Sequence, residues 1–184
     1  KPDGDAYGSV TALSAALRQI GKQVESLFMP PVPASFRELL GADRYRLYED
    51  GAPLPEADLV VILDTGAWSQ VAPMKAALVS RLDHTLVIDH HISGDIPAAR
   101  RYIDGQSGSC AEIVAQLIDL LPGGEKLYDA TVGQALFAGV ASDTGWFRFS
   151  NTRAQTHELA ARLQRLGVDH ADLYRKLEQT ERPS

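Results

Sequence analysis

Apolar and polar positions fall into blocks along the chain, and the blocks predict its elements. From Ser9, the apolar positions Val10, Leu13, Leu17 and Ile20 recur at helical spacing, and Gly21 stops them. Gln23 to Met29 reads as a strand, "PPVP" as a stiff connector, and Ser35 to Leu40 as a short helix. "ADLVVILD", Ala57 to Asp64, is a β-branched and leucine run without alternation, the pattern of a strand covered on both faces. Val71 to Arg81 carries a fainter helical pattern, and Leu86 to Ile88 forms the next buried strand. "SCAE", Ser109 to Glu112, is a capping box that opens a helix with Ile113, Val114, Leu117, Ile118 and Leu121 on one face. Tyr128 to Ala141 is almost wholly apolar, which predicts a deeply buried helix. Arg153 to Leu166 is amphipathic and stops at Gly167; Asp169 then caps a last helix to about Glu178. Buried strands alternating with helices predict an α/β domain with a parallel sheet and helices on both faces. That domain spans residues 1–178, and the polar 179–184 begins a linker.

Composition narrows the chemistry. Hydrophobic residues make up 45% of the 184 and charged ones 23%, which supports a folded core. The net charge of −6 argues against a basic face for duplex DNA, while a local phosphate site stays open. A single cysteine, Cys110, excludes an internal disulfide and a cysteine-based zinc site. No apolar run approaches the ~20 residues of a membrane span, and no signal peptide is visible, so a cytoplasmic home is expected. The chain opens at "KPDGDAYGS", within an expected loop, which suggests a fragment of a longer protein.

The acids fall at particular places. Asp64 ends "VVILD" and Asp89 ends "LVID", so both lie at the carboxyl edge of the parallel sheet, where open α/β folds bind ligands. Asp3 and Asp5 precede the first helix, at the same edge if a strand precedes them upstream of Lys1. Asp143 follows the buried helix. Taken singly, "PDGD" is an ordinary turn, a strand-end Asp is a helix cap, and either histidine is a surface residue. Together, four segments bring Asp3, Asp5, Asp64, Asp89, His90, His91 and Asp143 to one rim. Acids so massed repel one another and resist desolvation. A hard or borderline divalent cation resolves the conflict: Mn²⁺ above all, with Mg²⁺, Co²⁺ or Fe²⁺ as substitutes.

"PDGDAYGS", "VVILDTG", "VIDHH" and "GVASDTGWFRFSNT" resemble the four motifs of the DHH phosphoesterases, closest to the bacterial bifunctional oligoribonuclease and phosphoadenosine-phosphate phosphatase group. The resemblance implies a Rossmann-like catalytic domain with two Mn²⁺ ions. Asp64 would bridge both, Asp3 would hold the first, and Asp5, His90 and Asp143 the second. Asp89 would orient His90, and His91 would act on the scissile phosphate. The group's first motif also carries a histidine two residues upstream of Lys1, and its members carry a C-terminal substrate-gripping domain beyond Ser184. The implied substrates are short single-stranded oligoribonucleotides, 3′,5′-bisphosphonucleotides or linear dinucleotides, with no duplex DNA and no membrane involved; the oligomeric state stays open. Arg148 is a candidate for substrate phosphate, since guanidinium matches phosphate geometry. Ser109 is another, at a helix N-terminus able to receive an anion.

Three other readings compete. Inorganic pyrophosphatase or polyphosphatase chemistry belongs to the same superfamily. A catalytically degenerate nucleotide-binding domain would keep the site without turnover. The two Asp-Thr-Gly units at Asp64 and Asp143 suggest an aspartic protease, but that fold is all-β and leaves "PDGD" and "DHH" without a use.

Overall fold

The computed structural model describes residues 3–41 and 44–179. Lys1 and Pro2, which open the first motif, and residues 180–184 of the expected linker lie outside them. The helices are α1 (Gly4–Gln19), α2 (Ala34–Leu40), α3 (Lys75–Val79), α4 (Cys110–Leu120), α5 (Ala130–Asp143), α6 (Ala154–Arg165) and α7 (His170–Tyr174). The strands are β1 (Leu27–Phe28), β2 (Arg46–Leu47), β3 (Val60–Leu63), β4 (Thr85–Asp89) and β5 (Arg100–Ile103). Every pairing is parallel: β1 with β2 in one sheet, and β3, β4 and β5 in that order in a second.

The long helices and the strands of the main sheet follow the sequence pattern, while the strand expected over Gln23 to Met29 is reduced to Leu27–Phe28, and two helical segments shift. Helix α1 begins at Gly4, five residues before the apolar periodicity. Its first turns are built from small residues and Tyr7, which give no hydrophobic period. The segment from Val71 to Arg81 forms short 3₁₀ turns and the brief α3 in place of one helix. Strand β5 has no apolar run to announce it: Arg100, Arg101 and Tyr102 are exposed, as befits an edge strand.

Side chains alternate across the main sheet. Leu63 and Ile88 face the large core formed with α1, α4 and α5, while Ile62 and Val87 face a smaller one with Leu78 and Ile96. Long helices thus cover one face, and α3 with its flanking turns covers the other. The α1–α5 contact is closer than ordinary side chains permit. A Cβ on Gly8 would stand 2.4 Å from Ala135 O, and one on Gly139 would stand 2.8 Å from Ala111 Cβ and 2.9 Å from Asp5 Oδ1. Hydrogen at these positions lets α1, α4 and α5 converge beneath Asp5.

Candidate metal centre

Four segments end at the carboxyl edge of β3 and β4, each with an acid or imidazole. Asp3 is the N-cap of α1, its Oδ1 accepting from the backbone N–H of Asp5 and Ala6. Asp5 lies in the first turn of α1 and is fully buried. Its Oδ2 accepts from Cys110 N at 2.6 Å and its Oδ1 from Ala111 N at 2.9 Å and Ser9 Oγ at 3.2 Å. The anion at the N-terminus of α4 is therefore Asp5 itself. Ser109, expected to meet substrate phosphate there, is fully buried and caps the helix, its Oγ accepting from Glu112 N. Half of the expected capping box forms: Ser109 Oγ caps the helix and is turned inward, while Glu112 Oε2 accepts from Gly108 N and not from Ser109 N.

Asp64 follows β3 in the left-handed region, at φ 62°, an uncommon place for a side chain other than Asn or Asp. The backbone reverses there and leaves the carboxylate at the strand end. From β4 come Asp89, His90 and His91. The expected pairing of Asp89 with His90 is not what forms. Asp89 Oδ1 meets His91 Nδ1 at 2.8 Å and also accepts from His91 N. The period of two explains this: residues 89 and 91 share one side of the strand end, and residue 90 takes the other. His90 points inward, its Nε2 standing 3.5 Å from Asp64 Oδ1, 3.7 Å from Asp143 Oδ2 and 3.9 Å from Asp5 Oδ2.

Asp143, the last residue of α5, is held from beyond the helix. Asn151 Nδ2 donates to Asp143 Oδ2 at 3.1 Å, to Asp143 O at 3.2 Å and to Gly108 O at 2.8 Å. Spacing gave no sign of Asn151, because it arrives through a tight turn with Trp146 and Phe147 at positive φ (57° and 64°). Such backbone persists only when its surroundings fix it. Here Phe137 packs against both rings, His157 stacks on Phe147, and Trp146 Nε1 donates to Glu178. Arg148 is exposed on this turn, with Nε donating to Gly145 O.

The electrostatics describe a site short of positive charge. Burial, then the charges of Asp5 and Asp3, push the Asp64 carboxyl up to about 11. Burial and the charge of Asp143 push Asp5 up to about 7, against the pull of the Cys110 and Ala111 N–H groups. Asp143 is also raised, chiefly by burial, with His90 pulling the other way. Asp64 Oδ1, His90 Nε2 and Asp89 Oδ2 are buried without a hydrogen-bond partner. Two overlapping sets of donor atoms lie within 4.8 Å of one another: Asp64, Asp89, His90 and His91, and Asp5, His90 and Asp143. Oxygen donors around the His90 imidazole, 3.5–3.9 Å from it and so too far to bond it, fit a divalent cation of the Mn²⁺ or Mg²⁺ kind.

Comparison with known proteins agrees with this geometry. Residues 1–140 match the N-terminal domain of the DHH family. The chain belongs to that family. The bifunctional oligoribonuclease and PAP phosphatase NrnA of Thermus thermophilus is 32% identical over 180 residues, 96% of this chain and 51% of the relative. The cyclic-di-AMP phosphodiesterase GdpP of Bacillus subtilis is 27% identical over 97% of this chain and 28% of its own length. An exopolyphosphatase-related protein from Bacteroides fragilis shares the fold, with a TM-score of 0.88 at 24% identity over 98% of this chain and 54% of that one. This DHH chain spans about half the length of the first curated relatives it matches. No helix among its described residues is long and apolar enough to cross a membrane.

Proposed function

We propose that the DHH protein containing this chain is a divalent-metal phosphoesterase acting on short oligoribonucleotides or 3′,5′-bisphosphonucleotides. The observation that carries the reading is the convergence of Asp5, Asp64, His90 and Asp143, with unpartnered buried donor atoms, beside the Asp89–His91 pair. The relatives' names supply the substrate class, since an oligoribonuclease and PAP phosphatase is similar along almost the whole chain.

Asp64, shared between two cations, would bridge them; Asp3 would serve one, and Asp5, His90 and Asp143 the other. Cations bound there neutralise the acids, draw charge from a phosphoryl oxygen and acidify a water molecule. The remaining work falls to the protein. The α4 N–H groups fix both Asp5 oxygens on the buried side and leave lone pairs toward the rim. Asn151 keeps Asp143 Oδ2 turned toward His90. Asp89 accepts from the His91 ring and so fixes its orientation and its proton on Nδ1. His91, with half its side chain exposed where that of His90 is only 11% exposed, is the imidazole open to a substrate and the one suited to proton transfer. Arg148, exposed on the turn after Asp143, would be a further contact for substrate phosphate.

The test is hydrolysis of di- to pentaribonucleotides, adenosine 3′,5′-bisphosphate, a linear dinucleotide and pyrophosphate by the full-length protein with Mn²⁺, beside an Asp64→Asn control. Release of nucleotide or phosphate from the first three, lost with EDTA and in the control, is the expected result. Turnover of pyrophosphate alone would move the protein to the pyrophosphatase reading. No metal-dependent turnover would leave a nucleotide-binding domain.

A further inference from the structure

Arg101 is an exposed cation beside the acidic rim, with no ion-pair partner among the described residues beyond a long bond to Gly94 O. It lies on edge strand β5, opposite Val87 in the parallel register. Val87 and Asp89 share a face of β4, so Arg101 stands on the same face as Asp89. Its side chain runs toward the carboxyl edge, over the contact between Gly66 and Gly94. That contact is tight: a Cβ on Gly94 would stand 2.7 Å from Gly66 O. A Cβ on Gly66 would meet Arg101 Nη2 at 3.2 Å and Asp89 Oδ2 at 3.6 Å. The guanidinium and the buried, unpartnered Asp89 oxygen therefore both pack close to Gly66, and the exposed side of the guanidinium is the one open to a ligand.

Arg162 and Arg46 are held in ion pairs, with Asp119 and Glu25. Arg101 is exposed, and its bond to Gly94 O is long, at 3.5 Å. A guanidinium offers five donors in a fork that suits phosphate. One exposed at the carboxyl edge, where half-exposed His91 also lies, suits an anion as its ligand.

Resting on the phosphoesterase reading, we propose that Arg101 binds a second phosphate of the substrate, the one next to the phosphate being cleaved. It thereby selects substrates with two neighbouring phosphates, as a 3′,5′-bisphosphonucleoside or an oligonucleotide has, over isolated monophosphate diesters. It is a specificity residue and takes no part in the proton transfers.

The experiment compares adenosine 3′,5′-bisphosphate with bis(p-nitrophenyl) phosphate, which has a single phosphate, using full-length wild type, Arg101→Gln and Arg101→Lys with Mn²⁺. The expected result is a KM for the bisphosphate raised about 10–100-fold in Arg101→Gln, with partial recovery in Arg101→Lys. The single-phosphate diester should be hydrolysed within about twofold of wild type, on the view that an exposed arginine does not hold the metals. Mn²⁺ content and melting temperature should not move. Equal losses on both substrates, or lost Mn²⁺ binding, would make Arg101 a support for the Gly66–Gly94 contact and overturn the proposal. An unchanged KM for the bisphosphate would make it a solvated arginine and overturn it equally. Wild type inactive on both substrates would instead remove the phosphoesterase reading, and this inference with it.

Discussion

Replacing Asp64 by Asn should stabilise the metal-free protein while removing its response to Mn²⁺. The two effects have opposite signs, and the structure requires both. The Asp64 carboxyl is buried among acids and pushed up to about 11, from an ordinary value near 3.8. A carboxyl raised on folding favours the native state fully only below its unfolded value, and stability falls as pH climbs through the interval between the two. At pH 7 the unfolded chain has released that proton and the native chain holds it. The difference is an order-of-magnitude cost of about 4 kcal/mol in the metal-free protein. Asn has no such term. Its amide N–H can take over the hydrogen bond that the Asp64 carboxyl makes with Asp3, Oδ1 has no partner to lose, and Asn tolerates the left-handed backbone at this position. We expect the metal-free variant to gain about 2–4 kcal/mol at pH 7, or roughly 5–15 °C in melting temperature for a domain of this size. The gain should shrink toward zero near pH 4. Wild type should gain about 3 kcal/mol from Mn²⁺ at a hundred times its Kd, and the variant far less. Calorimetric melts in EDTA and in Mn²⁺ at both pH values measure all four quantities. A metal-free variant no more stable than wild type at pH 7, or an equal Mn²⁺ response in both, would refute the account of crowded acids awaiting a cation.

Further changes test other parts of the site. His91→Ala should keep wild-type Mn²⁺ content and lose ~10²–10⁴-fold in rate, whereas His90→Ala should lose metal; elemental analysis beside kinetics separates the two histidines. Asn151→Asp sets a carboxylate against Asp143 Oδ2 and should weaken Mn²⁺ binding in titration calorimetry, while unchanged affinity would show that Asp143 needs no support. Gly139→Ala drives a methyl into Ala111 Cβ and Asp5 Oδ1 and should cost ~1–3 kcal/mol in denaturant melts; a neutral result would mean that α1 and α5 can separate freely. Metal-free wild type should lose stability between about pH 4 and 7 through Asp5, whose carboxyl rises to about 7, and Mn²⁺ should offset that loss.

The sequence by itself determined which segments carry the acids and which end of the sheet receives them. Short β-branched and leucine runs without alternation read as strands covered on both faces, and Asp64 and Asp89 close those runs. A strand covered on both faces exposes its polar residues only where it ends, so the rim could be read from one dimension. Capping chemistry is equally local: Ser109 caps α4 as its residue type required, although Glu112 turns to Gly108 N and leaves the box half made. The parity of β4 was also legible in principle: residues two apart share a side, which pairs Asp89 with His91 and frees His90 for the interior. Tertiary structure decided the rest, wherever a partner arrives from a distant part of the chain. Asp5 meets the N-terminus of α4 more than a hundred residues away, and only the close contact at Gly8 and Gly139 brings those helices together. Asn151 reaches Asp143 through a strained turn that distant aromatic rings hold in place. Strand β5 becomes a strand because β4 offers it an edge, and its exposed arginines give no hydrophobic signal of their own. Local patterns record burial and caps, whereas the convergence of remote groups depends on helix packing that no short window of sequence contains.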